Sequence, residues 1–128
     1  MPVGKRIKSG GSYFKGQTLS VSSAPGDYVL VIKPDAGKAF AASGISVIPS
    51  VHGDGDTFLL RNMATTAAAG GTENAILIED VNNIGAGVAL NFDFSAIELV
   101  DSEGSLRFIY TNTASQAMTV FITTEVVR

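Results

Sequence analysis

The sequence lacks the residues on which several kinds of protein site depend. It has no cysteine, no tryptophan and one histidine, His52, in 128 residues. Without cysteine the chain can form no disulfide bridge, no thiolate zinc site and no cysteine nucleophile. One imidazole is too few for the multi-histidine metal sites that jelly-roll enzymes use. We therefore expect no metal and no other cofactor.

Charged residues and long apolar segments are also scarce. Charged residues make up 16% of the chain, below the ~25% that is usual for soluble domains. The apolar runs are far shorter than the ~20 residues needed to cross a bilayer. The basic start of the sequence is followed by no apolar segment of the kind found in signal peptides. We expect no membrane partner, and synthesis in a cytoplasm.

The charge that is present is unevenly distributed. Residues 1–38 carry a net charge of +4 and residues 39–128 a net charge of −7, which leaves −3 for the chain. Such polarity could orient a basic segment on the acidic part of a neighbouring subunit, or it could be an ordinary solvated surface. The acidic net charge argues against a specific nucleic-acid partner.

The first residues form a segment of their own. Residues 1–12 are basic and end in Ser9-Gly10-Gly11-Ser12, a composition typical of flexible chain. We predict an extended N-terminal arm over residues 1–12, in which Lys5, Arg6 and Lys8 bind a partner, and one folded domain over residues 13–128. A terminus without a role is the alternative.

From Tyr13 onward, strand-like segments alternate with turn signals at a spacing of roughly 8–12 residues, which is typical of a β-sandwich or barrel. No helix of ordinary length is visible. Strands are predicted over residues 17–23, 27–33, 38–42, 45–51, 57–62, 75–79, 88–94, 96–100, 106–111 and 118–127. Asp101–Gly104 is predicted to form a hairpin turn. The sequence therefore predicts an all-β, antiparallel β-sandwich with a jelly-roll or related Greek-key topology.

Three of these strands carry apolar side chains on both faces, namely those that include residues 28–32, 75–78 and 106–110. A half-buried strand needs apolar residues only at alternate positions. A chain of this length makes one two-layer unit and has little of itself with which to cover the outward faces. We therefore predict self-association, with Tyr28, Ile78 and Tyr110 as interface candidates. The two tyrosines fit this place because a hydroxyl at the rim of an apolar contact stays hydrated.

One loop contains residue types that are used in catalysis and in ion binding. Ser50, His52 and Asp54 or Asp56 lie within a single glycine-containing loop, whereas a working triad is assembled from different elements around a buried acid. Asp54 and Asp56 could offer oxygens to Ca²⁺, but a strand follows where an EF-hand loop would supply further ligands. A polar turn explains these residues better. We expect no catalytic residues, and ion binding by the two aspartates stays open.

A compact, cysteine-free β-domain of low charge, with a basic Gly-Ser arm and a strand at its C-terminus, resembles the small virion proteins of tailed phages. Among these it is most similar to the decoration (cement) proteins of icosahedral capsids. The resemblance implies a non-enzymatic homotrimeric jelly roll in the virion that binds the major capsid protein and stabilises the shell. It is carried by the organisation of most of the chain, and it assigns no role to a particular residue.

Two functions of other classes remain as alternatives. A carbohydrate-binding or adhesin-type β-sandwich module would present aromatic side chains on one exposed face. A small enzyme that uses His52, Asp54 and Asp56 would lose its activity in the variant His52→Ala.

Overall fold

The structure, a computed structural model, describes residues 12–35, 37–63, 73–100 and 104–127. Within these ranges the regular structure is eight β-strands: β1 Ser12–Val21, β2 Gly26–Ile32, β3 Phe40–Pro49, β4 Thr57–Met63, β5 Glu73–Asn82, β6 Leu90–Val100, β7 Ser105–Asn112 and β8 Met118–Val127. The described residues include no helix that is long and apolar enough to span a bilayer.

The strands form two four-stranded antiparallel sheets. Sheet A has the order β1-β8-β3-β6, and sheet B has the order β2-β7-β4-β5. The first half of the chain thus pairs with the second half in reverse order, β1 with β8, β2 with β7, β3 with β6 and β4 with β5. This is the arrangement of a long hairpin rolled into a double-sheet jelly roll. The predicted fold class is confirmed.

The core lies between the two sheets because most strands alternate in polarity. In β8, Met118, Val120 and Ile122 point inward and are buried, while Thr119 and Phe121 point outward. Sheet B contributes Phe58 and Phe108, whose ring centroids lie 5.4 Å apart. Phe92 of sheet A meets Phe58 edge-on at 6.1 Å, an arrangement that aromatic pairs prefer.

Strand β3 contains an irregularity that shapes the outer surface of sheet A. Its register against both neighbours shifts between Ala42 and Gly44. Against β8 the strand accommodates one extra residue, as in a β-bulge, whereas against β6 the extra residues lie on β6, between Asp93 and Glu98. A Cβ atom on Gly44 would lie 2.6 Å from the main-chain oxygen of Phe92. Only glycine lets the β3 and β6 backbones approach this closely.

The structure corrects three details of the predicted element order. The predicted segments 38–42 and 45–51 are replaced by one strand, β3, over Phe40–Pro49, because the irregularity at Ala42–Gly44 does not end the strand. The predicted segments 88–94 and 96–100 are likewise one strand, β6, which begins at Leu90. Strands β6 and β7 are not a hairpin pair, because β6 belongs to sheet A and β7 to sheet B; residues 101–103 of the predicted turn lie outside the described residues.

Candidate functional site

The loops at one end of the sandwich are held together by a buried carboxylate. Asp56, which precedes β4, is fully buried. Its Oδ1 atom accepts hydrogen bonds from the amides of Thr113 and Ala114 at 2.6 and 2.8 Å and from the Thr113 hydroxyl at 3.1 Å. Its Oδ2 atom accepts a hydrogen bond from the Tyr110 hydroxyl at 2.7 Å. The β3–β4 loop is thereby fixed to the β7–β8 loop.

Asn83 joins a third loop to this network. Its side-chain amide donates to the Tyr110 hydroxyl at 2.6 Å and to the carbonyl of Val51 at 3.0 Å. Its main-chain amide donates to the carbonyl of Asp56 at 2.9 Å. Asn83 and Tyr110 are both fully buried, and a buried polar group is stable only when it is paired in this way. We call Asp56, Asn83 and Tyr110 the buried triad.

Asn112 fixes the β1–β2 loop to the same end of the sandwich. Its side-chain amide donates to the carbonyl of Ser22 at 2.8 Å, and its side-chain oxygen accepts from the amide of Ser115 at 3.1 Å. Ser115 has a φ of +58°, a conformation that serine rarely adopts unless local hydrogen bonds hold it. The four loops at this end therefore form one rigid platform.

The electrostatics of the buried triad are those of a structural element. Burial acts to raise the pKa of the Asp56 carboxyl, but the hydrogen bonds from Tyr110, Thr113 and Ala114 together lower it below its usual value of 3.8. Burial and the bond to Asp56 raise the pKa of the Tyr110 hydroxyl well above its usual value. At neutral pH the pair is therefore a carboxylate and a neutral phenol.

The structure does not join the components of a hydrolase triad. The Ser50 hydroxyl accepts a hydrogen bond from the amide of Thr119 at 2.9 Å. Both oxygens of the Asp56 carboxylate accept hydrogen bonds from other residues, Tyr110 and Thr113. His52 and Asp54 are exposed. Among the described residues no group of three or more His, Cys, Asp or Glu side chains could hold a metal ion.

The outer face of sheet B carries the apolar surplus that the sequence predicts. Val29, Ile109 and Leu59 lie side by side on β2, β7 and β4. Val29 is 47% exposed and the other two are half-buried. Val31 and Ile76, which are 38% and 49% exposed, lie on β2 and β5 of the same face. Val29, Ile109 and Leu59 thus form an apolar strip across three strands, and the adjacent row reads Val31, Arg107, Arg61 and Ile76. An exposed apolar strip of this kind is a common mark of an interaction site.

The outer face of sheet A also exposes large apolar side chains, and it contains a cleft. One row across the sheet reads Phe14, Glu125, Gly44 and Asp93. The missing side chain at Gly44 leaves a cleft of about 150 Å³ between the two acids, and Asn91 also lines it. Phe14 is 67% exposed at its edge.

The structure places the predicted interface residues differently from one another. Tyr28 is half-buried, and its hydroxyl donates to the carbonyl of Ala24 at 2.7 Å. Ile78 and Tyr110 lie in the core between the sheets. Neither side chain can reach a partner, so the prediction that Ile78 and Tyr110 lie in an interface is wrong. Strands β5 and β7 do have two apolar faces, but the residues that point outward are Ile76 and Ile109. The arm residues Lys5, Arg6 and Lys8 lie outside the described residues.

Sequence reasoning missed the buried triad, whose members are 27 and 54 positions apart in the chain. One signal was available. A tyrosine within an otherwise apolar strand must either expose its hydroxyl or find a buried partner. For Tyr110 the second alternative holds, and Asp56 in a tight turn is the partner.

Comparisons of the sequence with known proteins find no match among protein families or curated proteins. Comparisons of the structure do find similar folds. A chain from infectious bursal disease virus, Gx strain, superposes with a TM-score of 0.53 at 12% identity, covering 91% of this chain and 31% of that one. This chain therefore spans about a third of the length of the virus chain.

Two other structures are similar over most of their own length. The family 11 carbohydrate-binding module of the cellulase Lic26A-Cel5E of Clostridium thermocellum gives a TM-score of 0.45 at 12% identity, with 91% of this chain and 86% of the module covered. The structure of tomato aspermy virus gives a TM-score of 0.44 at 14% sequence identity, with 90% of this chain and 78% of the virus chain covered. At 12% identity the similarity to the infectious bursal disease virus chain extends to the fold alone.

Proposed function

We propose that this chain is a non-enzymatic structural protein of a virus particle, which self-associates and binds the capsid surface to stabilise the shell. The observation that carries the proposal is the apolar outer face of sheet B. A second copy of the chain is the occupant that we assign to it. In its most specific form the proposal is a homotrimeric decoration protein of a tailed phage, made in the host cytoplasm and bound to the major capsid protein.

The outer face of sheet B supports self-association because its apolar residues are contiguous. Val29, Ile109 and Leu59 cross three neighbouring strands, and Val31 and Ile76 extend the surface. Burying a fully exposed valine or isoleucine side chain contributes about 1.5–3 kcal/mol. Val29, Val31 and Ile76 are 38–49% exposed, so covering each of them contributes about half of that. A few such residues on each copy are enough to offset much of the entropy cost of association.

The fold and the low charge support the wider proposal. The double-sheet jelly roll is found in virus particles such as that of infectious bursal disease virus. A protein that binds only the assembled shell stabilises it by mass action, by about 2.7 kcal/mol per site at a hundredfold excess over the dissociation constant. Many equivalent sites on one particle multiply this effect.

Self-association can be tested by sedimentation velocity of the full chain and of the variant Val29→Asp. A carboxylate on the outer face of sheet B must be desolvated when a second copy covers it, so we expect the variant to be monomeric at concentrations at which the wild type is oligomeric. The matched control is Val88→Asp, because Val88 is similarly exposed, at 52%, but lies in the β5–β6 loop. Equal sedimentation of all three proteins would exclude the face as an interface.

Virion location requires a separate test. Mass spectrometry of density-purified particles of the virus that encodes the chain should detect it at a fixed stoichiometry to the major capsid protein. Particles that lack the chain should lose their contents at a lower temperature than complete particles. Absence from purified particles would contradict the proposal even if the chain self-associates.

The arm residues Lys5, Arg6 and Lys8 enter the proposal as capsid contacts. Deletion of residues 1–11 leaves β1, which begins at Ser12, intact. We expect the truncated chain to fold and to bind particles more weakly. A full-length chain with the three basic residues replaced by glutamine should show the same loss, because charge carries the attraction. Unchanged particle binding would remove the arm from the proposal.

A carbohydrate-binding function is the second candidate, and the cleft of sheet A favours it. Phe14 is exposed beside Asn91, Asp93 and Glu125. An aromatic ring can stack on the face of a sugar ring, and neighbouring amide and carboxylate groups can bond to its hydroxyls. On a glycan array, Phe14→Ala should abolish binding. Phe121→Ala, at an exposed phenylalanine on the same face but outside the cleft, should preserve it.

A further inference from the structure

The sandwich is open along one side. Among the described residues, the edges of β1 and β2 pack against each other, whereas the edges of β5 and β6 do so less. Several side chains of β5 and β6 that pack against the core are accordingly only half-buried, namely Leu77, Val81, Leu90, Phe92 and Phe94. The inward-facing residues of β8, in the middle of sheet A, are buried. We call the opening between the edges of β5 and β6 the seam.

Strand β6 presents a free edge beside the seam. Among the described strands its pairing partner is β3, and it stands last in the sheet. It is 11 residues long, and a free edge of this kind can accept an extended peptide as a further strand. On β6, Phe92 and Phe94 face inward and the exposed Asp93 faces outward. A peptide that fits therefore needs apolar residues on one face and polar residues on the other.

The two strands that border the seam carry charge of one sign. The sequences of β5 and β6 contain five acidic residues and no basic residue. Arg61 of β4, which lines a cleft with Glu79 and Asp80, offsets one of these charges. Asp93 is exposed and, within the described ranges, forms no ion pair. A peptide that binds this edge should therefore be basic.

The residues that precede β1 have the required pattern. From Val3 to Lys8 the sequence reads Val-Gly-Lys-Arg-Ile-Lys, with three basic residues and no acid. In an extended chain Val3 and Ile7 fall on one face, and Arg6 and Lys8 fall on the other. Lys5 shares the apolar face, where its stem can lie along apolar surface while its ammonium group reaches the acids of β5. This segment matches the edge of β6 in polarity pattern and in charge.

The arm is too short to make this contact within its own copy. It joins the domain at Ser12 on β1, which is the opposite edge strand of sheet A. Four strand spacings, about 19 Å, separate β1 from a strand added to β6. Lys8 precedes Ser12 by four residues, which span at most about 14 Å. Lys8 can therefore lie beside β6 only on another copy.

We propose that residues 3–8 of one copy add to the free edge of β6 in the next copy as a further strand, with the apolar residues toward the seam and Arg6 and Lys8 toward Asp93. The inference rests on the self-association proposed above and adds a second contact to the outer face of sheet B. Because the arm and the edge are different surfaces, the contact is heterologous and joins copies into a ring or a longer chain.

Thiol cross-linking tests the contact, because the wild-type chain has no cysteine. One full-length variant carries Gly4→Cys in the arm, and the other carries Asn91→Cys at an exposed position of β6. When the two are mixed and treated with a short bismaleimide, we expect a product whose mass identifies one copy of each. The matched control replaces the second variant with Thr18→Cys, which is likewise exposed but lies on β1. Its yield should be at least about tenfold lower, because binding concentrates the arm at β6 alone.

A proline in the arm separates strand pairing from charge attraction. Ile7→Pro removes a backbone donor but no charge, so its addition to the Gly4→Cys variant should reduce the yield with Asn91→Cys to that of the Thr18→Cys control. An unchanged yield would show that charge alone holds the arm and would overturn the added strand. Circular dichroism establishes that each variant is folded, which is expected because the altered residues of the domain are exposed.

The remaining outcomes distinguish this inference from the proposed function. If the wild type forms oligomers but Asn91→Cys yields no more product than Thr18→Cys, the arm contact is wrong and self-association by another surface remains. If that yield stays low while deletion of the arm weakens particle binding, the arm contacts the capsid and the inference is overturned. A wild-type chain that is monomeric at every concentration would overturn self-association itself and this inference with it.

Discussion

Removing the hydroxyl of Tyr110 should destabilise the fold far more than removing that of its cross-strand partner, Tyr28. In Tyr110→Phe, Asp56 loses the donor at 2.7 Å, and the Asn83 amide keeps only the carbonyl of Val51 among its oxygen acceptors. A hydrogen bond to a buried charged group contributes about 1.5–3 kcal/mol. We therefore expect the free energy of unfolding to fall by about 2 kcal/mol.

Tyr28→Phe is the matched control, because Tyr28 lies directly opposite Tyr110 in the pairing of β2 with β7. Its hydroxyl bonds to Ser22 and to the carbonyl of Ala24, both neutral partners at an exposed position. Such bonds lie at the low end of the range, so we expect a loss of about 0.5 kcal/mol.

Urea unfolding followed by circular dichroism measures both losses. With an m-value of about 2 kcal/mol/M, Tyr110→Phe should lower the midpoint by about 1 M. All proteins must be compared at one concentration, because self-association adds to the apparent stability. Equal losses in the two variants would refute the view that the buried triad holds the loop platform together.

Three further outcomes are expected. The pKa of Asp56 in the folded state lies below its ordinary value of 3.8. The contribution of its carboxylate to the free energy of unfolding is therefore complete above pH 3.8 and is lost as the pH falls through the folded pKa. In urea titrations over this acid range, the free energy of unfolding of Asp56→Asn should fall less than that of the wild type. Gly53→Ala should lower the free energy of unfolding in urea by at least about 2 kcal/mol, because the new Cβ overlaps the Asp56 carboxylate. The control Gly16→Ala should change it little, because the space around Gly16 is open. Gly44→Ala should likewise lower the thermal midpoint, because the new methyl meets the β6 backbone.

The strands whose alternation is unbroken could be predicted from the sequence closely. Strand β8 covers 118–127 as expected, since inward and outward residues alternate over its whole length. Strand β1 begins five residues before the predicted start at Gln17, because residues 12–16 pair with the end of β8. Pairing of this kind depends on tertiary contacts, which local periodicity does not contain.

The position of the surplus apolar surface could be predicted only in part. The doubly apolar strands were identified, but the pattern does not say which parity faces the core. In β7, Phe108 and Tyr110 point into the core, and Arg107 and Ile109 point to the outer face. The hydroxyl of Tyr110 favours a position at the rim of an interface, but it lies in the core, where Asp56 accepts its hydrogen bond.

The opposed arginines were beyond sequence reasoning for a different reason. Arg61 and Arg107 are 46 positions apart, and only the register of β4 against β7 brings them together. A single-residue shift in that register would place one of them toward the core. The inward-facing residues Phe58, Leu60 and Phe108 fix that register, because a shift would expose them.

Native mass spectrometry of the full-length wild-type chain over a range of concentrations measures self-association without knowledge of any further partner. The account predicts oligomers whose population rises with concentration, because the outer face of sheet B is covered only when a second copy is bound. A single species at 13.3 kDa at every concentration would contradict it.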